Sequence, residues 1–226
     1  MIWYKRIGSL CVGFLCSCAV LSLLILRCVG VPQTPAEPHI KMEFPYALKD
    51  LPLVLHGIYG YEGPYVEDGT DREVCDVAAL VVENVGATML TDTRIAIYTP
   101  NRCFMFLAQC LPAGAKTIVL EKNEGLYYGE QVTGCWAHTD SVKKASEESV
   151  MIRQLDMGAI EIVNETSGQI RQLVILHKNW SKEAGSYLGG VVYKTYVYNL
   201  QPNQLVLVKP GHYEKTISKI IAAVCS

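Results

Sequence analysis

The chain has 226 residues, of which 50% are hydrophobic and 19% charged, a composition typical of ordered proteins that excludes a largely disordered chain. Its length suffices for two small domains. Three of the 20 basic residues and none of the 22 acidic ones lie in the first thirty positions, so the remainder is mildly acidic. Such a surface does not attract a phosphate backbone, and we expect no nucleic acid partner.

Residues 1–30 form a predicted membrane anchor, in which the apolar run over residues 7–26 spans the bilayer as a helix. The run contains no charged residue, and its length matches the hydrocarbon layer of a membrane. Lys5 and Arg6 precede it, and positive residues stay on the cytoplasmic side. The sequence therefore predicts a single-pass protein of the cell membrane with a cytoplasmic N-terminus and an extracytoplasmic remainder. A cleaved signal peptide is the alternative, because small residues near Gly30 suit a signal peptidase.

Residues 31–50 form a predicted stalk after the anchor. Prolines exclude regular helix here and favour an extended, polyproline-like chain, which would hold the rest of the protein away from the membrane. A disordered segment without a spacing role is the alternative. The four prolines are Pro32, Pro35, Pro38 and Pro45.

Beyond residue 50 the apolar residues recur with a period of two, in short runs rich in Val, Ile, Tyr and Thr that Gly, Asn and Pro separate. This pattern is typical of antiparallel strands and predicts an all-β fold after the anchor helix. Residues 141–156 are the predicted linker, and Ser141 to Gln154 within them could also be a helix. The clearest predicted strands are Val77–Glu83, Thr93–Thr99, Cys103–Cys110, Thr117–Glu121, Ala159–Val163, Gln172–His177, Val191–Asn199 and Leu205–Lys209.

The strand pattern occurs twice along the chain. Residues 78–84 and 158–164 are apolar runs that end at an asparagine, and each leads into a glycine-containing turn, a second strand, a proline corner and a further strand. This repetition predicts two copies of one β-sandwich, over residues 51–140 and 157–226. The second copy carries a glycine-rich insertion over residues 181–190.

Two short segments of the first copy resemble a known kind of module. Val81-Val82-Glu83-Asn84-Val85-Gly86 and Leu111-Pro112-Ala113-Gly114 are similar to the bacterial cell-surface modules of the CARDB and FxLYD kind. The resemblance covers residues 74–122 and extends loosely over residues 157–222. It implies two immunoglobulin-like antiparallel β-sandwiches at the cell surface, in modules that share no catalytic residues.

Five cysteines follow the anchor, and an extracytoplasmic location would place them in an oxidising compartment where disulfides form. Cys103 and Cys110 are close enough in sequence to bridge a hairpin, and Cys75 with Cys135 would bracket the first sandwich. Spacing alone leaves the connectivity open, and Cys225 is the candidate for the unpaired thiol.

The sequence contains none of the G-x-S-x-G, H-E-x-x-H, P-loop and G-x-G-x-x-G motifs. Cys135 and His138 are close in sequence, but sequence proximity in a β-region provides no triad geometry. A buried or disulfide-bonded Cys135 is expected instead. We therefore expect no enzymatic activity and no cofactor.

An acidic stretch over residues 67–73 is the candidate metal site. Asp68, Asp71 and Glu73 offer hard oxygen ligands in a glycine-containing loop, which suits weak calcium binding in an extracellular module. The spacing differs from that of an EF-hand, and a solvated acidic turn before the first core strand is the alternative.

Tyrosines concentrate near glycines, and amphipathic rings are efficient contact surface at interfaces. The predicted binding residues are Tyr59, Tyr61, Tyr65 and Tyr187. For three further tyrosines we expect packing inside the second sandwich. These are Tyr193, Tyr196 and Tyr198.

Together these features predict a membrane-anchored binding or structural protein of the cell surface that acts by contact with an unknown protein partner. An accessory subunit of a cell-envelope secretion or transport assembly is the first alternative. An uncharacterised extracytoplasmic hydrolase is the second.

Overall fold

In a computed structural model of the chain, the described residues are 41–70, 72–143, 150–155, 159–209 and 217–225. They form fourteen β-strands and one 3₁₀ turn at Val66–Asp68, so the prediction of an all-β fold is confirmed for this part of the chain. Among these residues no helix has the length and apolarity needed to cross a membrane. The predicted anchor helix over residues 7–26 lies outside them.

The strands fall into two sets. The first set is β1 (Tyr46–Ala47), β2 (Leu53–Tyr65), β3 (Arg72–Asn84), β4 (Met89–Tyr98), β5 (Cys103–Leu111), β6 (Ala115–Leu120), β7 (Gly134–His138) and β8 (Ser141–Lys143). The second set is β9 (Val150–Gln154), β10 (Ile160–Asn164), β11 (Ile170–Ser181), β12 (Ser186–Leu200), β13 (Leu205–Val208) and β14 (Ile217–Cys225). We call β2 to β7 the first repeat and β9 to β14 the second repeat.

Both repeats have the same strand pairing. In the first repeat β3 pairs with β2 and β6, and β4 pairs with β5 and β7. In the second repeat β10 pairs with β9 and β13, and β11 pairs with β12 and β14. Each repeat therefore has two antiparallel three-stranded layers, as in a β-sandwich, and the internal repetition read from the sequence is present in the topology.

Each repeat encloses its own apolar core between its two layers. In the first repeat the core includes Leu80 of β3, Ile95 of β4 and Phe104 of β5, all at most 1% exposed. Burying one such side chain contributes about 1.5–3 kcal/mol to stability. The corresponding core of the second repeat contains Ile160, Ile162, Ile170, Leu173, Ile175, Val197 and Leu200.

A buried asparagine closes the same turn in both repeats. Asn84 at the end of β3 and Asn164 at the end of β10 are both fully buried. Each side-chain amide donates two hydrogen bonds to backbone carbonyls, and so ties the turn to the strand before the proline corner. The acceptors are Thr88 at 2.8 Å and Leu111 at 2.9 Å for Asn84, and Gly168 at 2.8 Å and Leu200 at 3.0 Å for Asn164.

The two repeats share one sheet. β6 pairs in parallel with β12, with Thr117 opposite Tyr187 and Ile118 opposite Leu188. The resulting strand order is β1-β2-β3-β6-β12-β11-β14, in which each repeat contributes a contiguous block. Nothing in the sequence predicts this pairing, and the boundaries of the two domains stay a prediction.

The predicted linker over residues 141–156 contains two strands in its described part, whereas a helix was the alternative. β8 pairs with β4 of the first repeat, and β9 pairs with β10 of the second. Val150 and Ile152 of β9 pack against the core of the second repeat. Met151 between them is exposed. Because Met151 is apolar as well, the alternation of apolar and polar residues that predicts a strand is missing from this segment.

We expect Asn84→Ala and Asn164→Ala each to lower the free energy of unfolding by about 2–4 kcal/mol, because each leaves two backbone carbonyls without their donor. Chemical denaturation of the variants measures this loss. Asn101→Ala is the matched control, since Asn101 is exposed and its replacement should change stability by no more than about 0.5 kcal/mol. A loss below about 1 kcal/mol for either buried asparagine would contradict the assigned role.

Candidate binding surface at the junction of the repeats

A short stretch of β12 is held by two charged side chains. Lys178 of β11 donates from Nζ to the carbonyl oxygens of Gly189 at 2.8 Å and Val191 at 3.0 Å. From the 3₁₀ turn of the first repeat, Glu67 accepts the amide of Gly190 at 2.7 Å through Oε1. The backbone of the second repeat is thus bound to the first repeat by a carboxylate and stabilised from within by a lysine.

We call Lys178 and Glu67 together the clamp, and burial shifts the pKa of both side chains. Lys178 is 0% exposed, and burial lowers its pKa to about 8, an effect that the negative charge of Glu67 partly offsets. Burial raises the pKa of the half-buried Glu67, whereas hydrogen bonds from the amides of Gly190 and Leu120 oppose the rise. A buried charge is tolerated only where it is paired or hydrogen-bonded, and backbone groups provide most of the bonds here.

Two glycines allow β12 to approach this closely. A Cβ at Gly190 would overlap the carbonyl oxygen of Leu107 in β5, and one at Gly189 would overlap the side chain of Val66. Gly189 also has a φ of +85°, at which residues with a side chain are strained. The glycine-rich insertion of the second repeat is therefore a point of close contact with the first.

The docked end of the β11–β12 hairpin also carries a cost. Three buried side-chain oxygens make no hydrogen bond within the described residues. Leaving one buried polar atom unpaired costs about 1–3 kcal/mol. The clamp and the packing of Leu188 must therefore offset this free-energy cost for three atoms. The three atoms are Thr117 Oγ1, Asn179 Oδ1 and Ser186 Oγ.

A groove of about 490 Å³, here called the junction groove, opens where the second repeat meets β4 and β5. It is lined by Met89, Thr91, Asp92, Gln109 and Cys110 of the first repeat, and by Val174, Leu176, Val192, Lys194 and Val224 of the second. The side chain of Gln109 accepts the amide of Val192 at 2.9 Å and also lines a second groove of about 280 Å³ beside Glu67. An apolar lining with a few charged groups is typical of binding sites.

Two exposed tyrosines continue the wall of the junction groove along β12. Tyr196 and Tyr198 are 48% and 60% exposed, and their rings stack with 6.2 Å between centroids and 10° between planes. They share a face with Lys194, since alternate residues of a strand point to the same side. Tyr196 lies opposite Val174, which lines the groove. We call Tyr196 and Tyr198 the tyrosine strip.

The expectation that Tyr196 and Tyr198 pack inside the second sandwich is wrong. Val197 is 8% exposed and fills the core position, so its two neighbours point outward. Lys194 lies on the same face, and a lysine there indicates from the sequence that this face of the strand is exposed to solvent. Tyr193 does pack inward as expected, stacked at 5.8 Å on the buried ring of His177.

The four predicted binding tyrosines do not form one exposed surface. Tyr65 is 3% exposed and donates its hydroxyl to two backbone carbonyls after β6. Tyr187 is 9% exposed and packs edge-on against Trp180 at 5.0 Å. Tyr61 is half-buried, so Tyr59 is the member of the set that presents most surface.

The structure brings neither predicted cysteine pair together. Cys103 and Cys110 lie at the two ends of β5, roughly 23 Å apart for an extended strand, because both belong to one strand and do not face each other across a hairpin. Cys75 and Cys135 are also free thiols. The side chain of Cys225 lies outside the described residues. Burial raises the pKa of the Cys110 thiol to about 11, so this thiol in the wall of the junction groove stays uncharged at neutral pH.

The predicted calcium ligands do not converge in the described part of the chain. Asp68 accepts the amide and the hydroxyl of Thr70 at 2.9 Å and 2.7 Å and pairs with Arg72 at 3.5 Å. Glu73 is exposed on β3, and Asp71 lies outside the described residues. The contacts of Asp68 are those of a solvated acidic turn, the alternative that the sequence left open.

Metal-binding atoms come closer at another place on the first repeat. Donor atoms of Glu62, Cys75 and Asp76 all lie within 4.8 Å of one another. The Cys75 thiol donates to Asp76 at 3.4 Å and to Glu62 at 3.6 Å, and the hydrogen bond to Asp76 raises the pKa of the thiol. Because a metal binds the thiolate and not the thiol, these contacts stabilise the form that does not bind a metal.

Two histidines lie near possible nucleophiles, and neither arrangement suits catalysis. Cys135 packs toward the core of the first repeat, whereas His138 is exposed on the opposite face of the same strand. In the second repeat His177 Nδ1 lies 2.5 Å from Ser218 Oγ, and its Nε2 lies 3.0 Å from Thr195 Oγ1. His177 and Ser218 are at most 2% exposed, so this serine is closed to a substrate.

The junction groove and the tyrosine strip form the candidate functional site, because they join exposed aromatic surface to a concave, mostly apolar wall. Comparison of the chain with protein family models, with curated proteins and with solved structures found no match. What the site can do therefore follows from its own geometry and chemistry.

We expect Gly190→Ala to lower the free energy of unfolding by about 1–3 kcal/mol or more, because the new Cβ overlaps the Leu107 carbonyl oxygen. Hydrogen exchange of the Gly190 and Val192 amides should become faster, since both are bound across the junction. Gly168→Ala is the control, because a Cβ there meets nothing within 4 Å. Equal stability of the two variants would argue against close docking of β12.

The lowered pKa of Lys178 predicts a pH dependence with a definite sign. Between about pH 8 and pH 10.5 the unfolded chain binds a proton at Lys178 that the folded chain has lost, so the free energy of unfolding rises with pH. The rise corresponds to about 1.4 kcal/mol for each unit of pKa difference. In Lys178→Met this contribution is absent, and the stability difference between wild type and variant should grow in favour of the wild type across this range.

Denaturation at a series of pH values measures this difference, and Lys182→Met, at an exposed position, corrects for the loss of a lysine as such. A difference between wild type and Lys178→Met that stays constant or shrinks from pH 8 to pH 10.5 would show that Lys178 has an ordinary proton affinity in the folded chain.

Proposed function

We propose that this chain is a membrane-anchored binding protein of the cell surface that acts by contact with another protein. Residues 7–26 hold it in the membrane as a single-pass anchor, with the N-terminus in the cytoplasm and both repeats outside as immunoglobulin-like sandwiches. The absence of charge from the apolar run supports the anchor. The paired three-stranded layers of each repeat support the sandwich assignment.

The tyrosine strip is the observation that carries this proposal. Aromatic side chains are enriched at the centres of protein interfaces, because they bury a large area while losing few rotamers. Tyr196 and Tyr198 are held in a stacked arrangement by a strand whose intervening Val197 is anchored in the core. The backbone of the strip is therefore fixed by the core before binding, which lowers the entropy lost on association.

The junction groove complements the strip. Its apolar wall of Val174, Val192 and Val224 adjoins the tyrosines, and Val224 is 45% exposed. Asp92 and Lys194 add one charge of each sign, so the groove favours a partner with a mostly apolar segment and does not select by net charge. Because both repeats contribute to the wall, the site depends on their docking.

Contact, as opposed to catalysis, is favoured by the state of the reactive groups. The thiol in the junction groove, Cys110, has a raised pKa and is buried. The Ser218 and His177 pair is enclosed in the second repeat. Nucleophilic catalysis needs an accessible and activated group, and these groups meet neither condition.

The proposal is tested by comparing the full-length chain with the double variant Tyr196→Ala/Tyr198→Ala in its own membranes. After cross-linking in intact cells, a protein that co-purifies with the wild type should be recovered at least about tenfold less with the double variant, since truncating an aromatic anchor commonly costs about 2 kcal/mol or more. Quantitative mass spectrometry of the purified complexes measures the recovery.

Tyr128→Ala is the matched control, because Tyr128 is 67% exposed and lies outside the junction groove. The control variant should recover the partner at the wild-type level. Equal recovery by wild type and double variant would refute the tyrosine strip as the binding surface, and so would an equal loss with Tyr128→Ala.

A further inference from the structure

The repetition of the fold gives each strand of the first repeat a counterpart in the second. With Asn84 and Asn164 as equivalent positions, the register of β3 with β6 matches that of β10 with β13. Thr117, opposite Val82, then corresponds to Val206, opposite Ile162. Ile118, opposite Val81, corresponds to Leu207, opposite Glu161. β6 and β13 therefore occupy equivalent positions in the two repeats.

In the first repeat this position is covered. β6 pairs with β3 on one side and with the start of β12 on the other. Ile118 is 7% exposed and packs in one buried cluster with Leu188 of β12. The edge of β6 is thus closed by a parallel strand that supplies an aliphatic side chain and then two glycines.

In the second repeat the same position is open. β13 pairs with β10 on one side, and within the described part of the chain no strand pairs with its other side. Leu207 is 61% exposed and Leu205 is 58% exposed. Val163 and the exposed Met151 continue this surface across β10 and β9, since each lies opposite its neighbour in the register.

β13 is a short strand of four residues followed by Lys209 and Pro210, and within the strand itself it carries none of the residues that protect a free edge. Its sequence, Leu-Val-Leu-Val, has high β-propensity and contains no lysine, no proline and no other charge. Natural edge strands commonly carry a charge, a proline or a bulge that prevents another strand from adding. The neighbouring charges Arg153 and Glu161 neutralise each other at 2.9 Å, so they neither repel nor select a partner by charge.

We propose that the edge of β13 and the face around Leu205 and Leu207 form an acceptor site for one extended strand of another polypeptide, added in parallel as β12 adds to β6. The strand that fits places an aliphatic side chain beside Leu207 and small residues after it, the pattern of Leu188-Gly189-Gly190. Main-chain hydrogen bonds to the free edge provide affinity, and the pocket for the aliphatic side chain provides selectivity.

The occupant is a different polypeptide because this chain's own strand of that pattern is already bound to β6. A second copy would have to use another strand. The edge of β13 shares no residue with the junction groove or the tyrosine strip, so variants at Leu207 test this site apart from the function proposed above.

The test uses a fluorescent synthetic peptide with the sequence of residues 185–192, which reproduces the strand that closes β6. Anisotropy is measured with the full-length chain in lipid nanodiscs. We expect saturable binding to the wild type, and binding at least about tenfold weaker to Leu207→Lys, because a charge in the centre of a desolvated patch is costly. Leu207 is exposed, so the variant should fold, and its thermal unfolding verifies this.

Val85→Lys is the matched control, since Val85 is 55% exposed on the first repeat, and it should bind the peptide like the wild type. A peptide with lysine in place of the leucine should not bind. Absence of saturable binding would overturn the proposal. Binding that Leu207→Lys leaves unchanged would also do so, since the peptide would then displace β12 from β6. Self-association of the chain that depends on Leu207 would assign the surface to a second copy instead.

Discussion

The close approach of β12 to the first repeat is the constraint on which the rest of the structure depends. At Gly190 the backbone passes the carbonyl of Leu107 at a distance that admits no side chain, and at Gly189 it passes Val66 in the same way. Only this approach lets Glu67 reach the Gly190 amide and lets Leu188 enter the cluster around Ile118. A side chain at either glycine would push β12 away from the first repeat and so weaken the common sheet.

The charged side chains of the clamp fix the register of β12 more than they add to the stability of the fold. A buried charged group often contributes little net stability, because desolvation cancels much of the attraction. Lys178 and Glu67 instead bind successive carbonyl and amide groups of one strand, so a shift of β12 by one residue would leave both unsatisfied. The same register orients Lys194, Tyr196 and Tyr198 outward. The candidate binding surface therefore depends on the clamp, which binds residues 189–191 earlier in the same strand.

Those features of the fold that have a local cause were predicted from the sequence. The period of two revealed the strands, and the repeated asparagine, whose bonds at Asn84 and Asn164 are equivalent, revealed the duplication. The parallel pairing of β6 with β12 was not predictable, because two residue pairs between distant segments leave no periodic signal. The cysteine pairing failed for a related reason, since Cys103 and Cys110 looked like the ends of a hairpin but belong to one strand.

The duplication is not symmetric, and the difference explains why β6 is covered whereas β13 has no strand on its outer side within the described part of the chain. Leu111 and Leu200 accept equivalent bonds from the buried asparagines, so the start of β5 at Cys103 corresponds to Val192. β12 begins earlier, at Ser186, and this added stretch is the part that closes β6. The first repeat has no matching extension of β5 to offer to another molecule. Within the described residues, the second repeat therefore closes β6 of the first repeat and leaves its own counterpart of β6, β13, without a strand on its outer side.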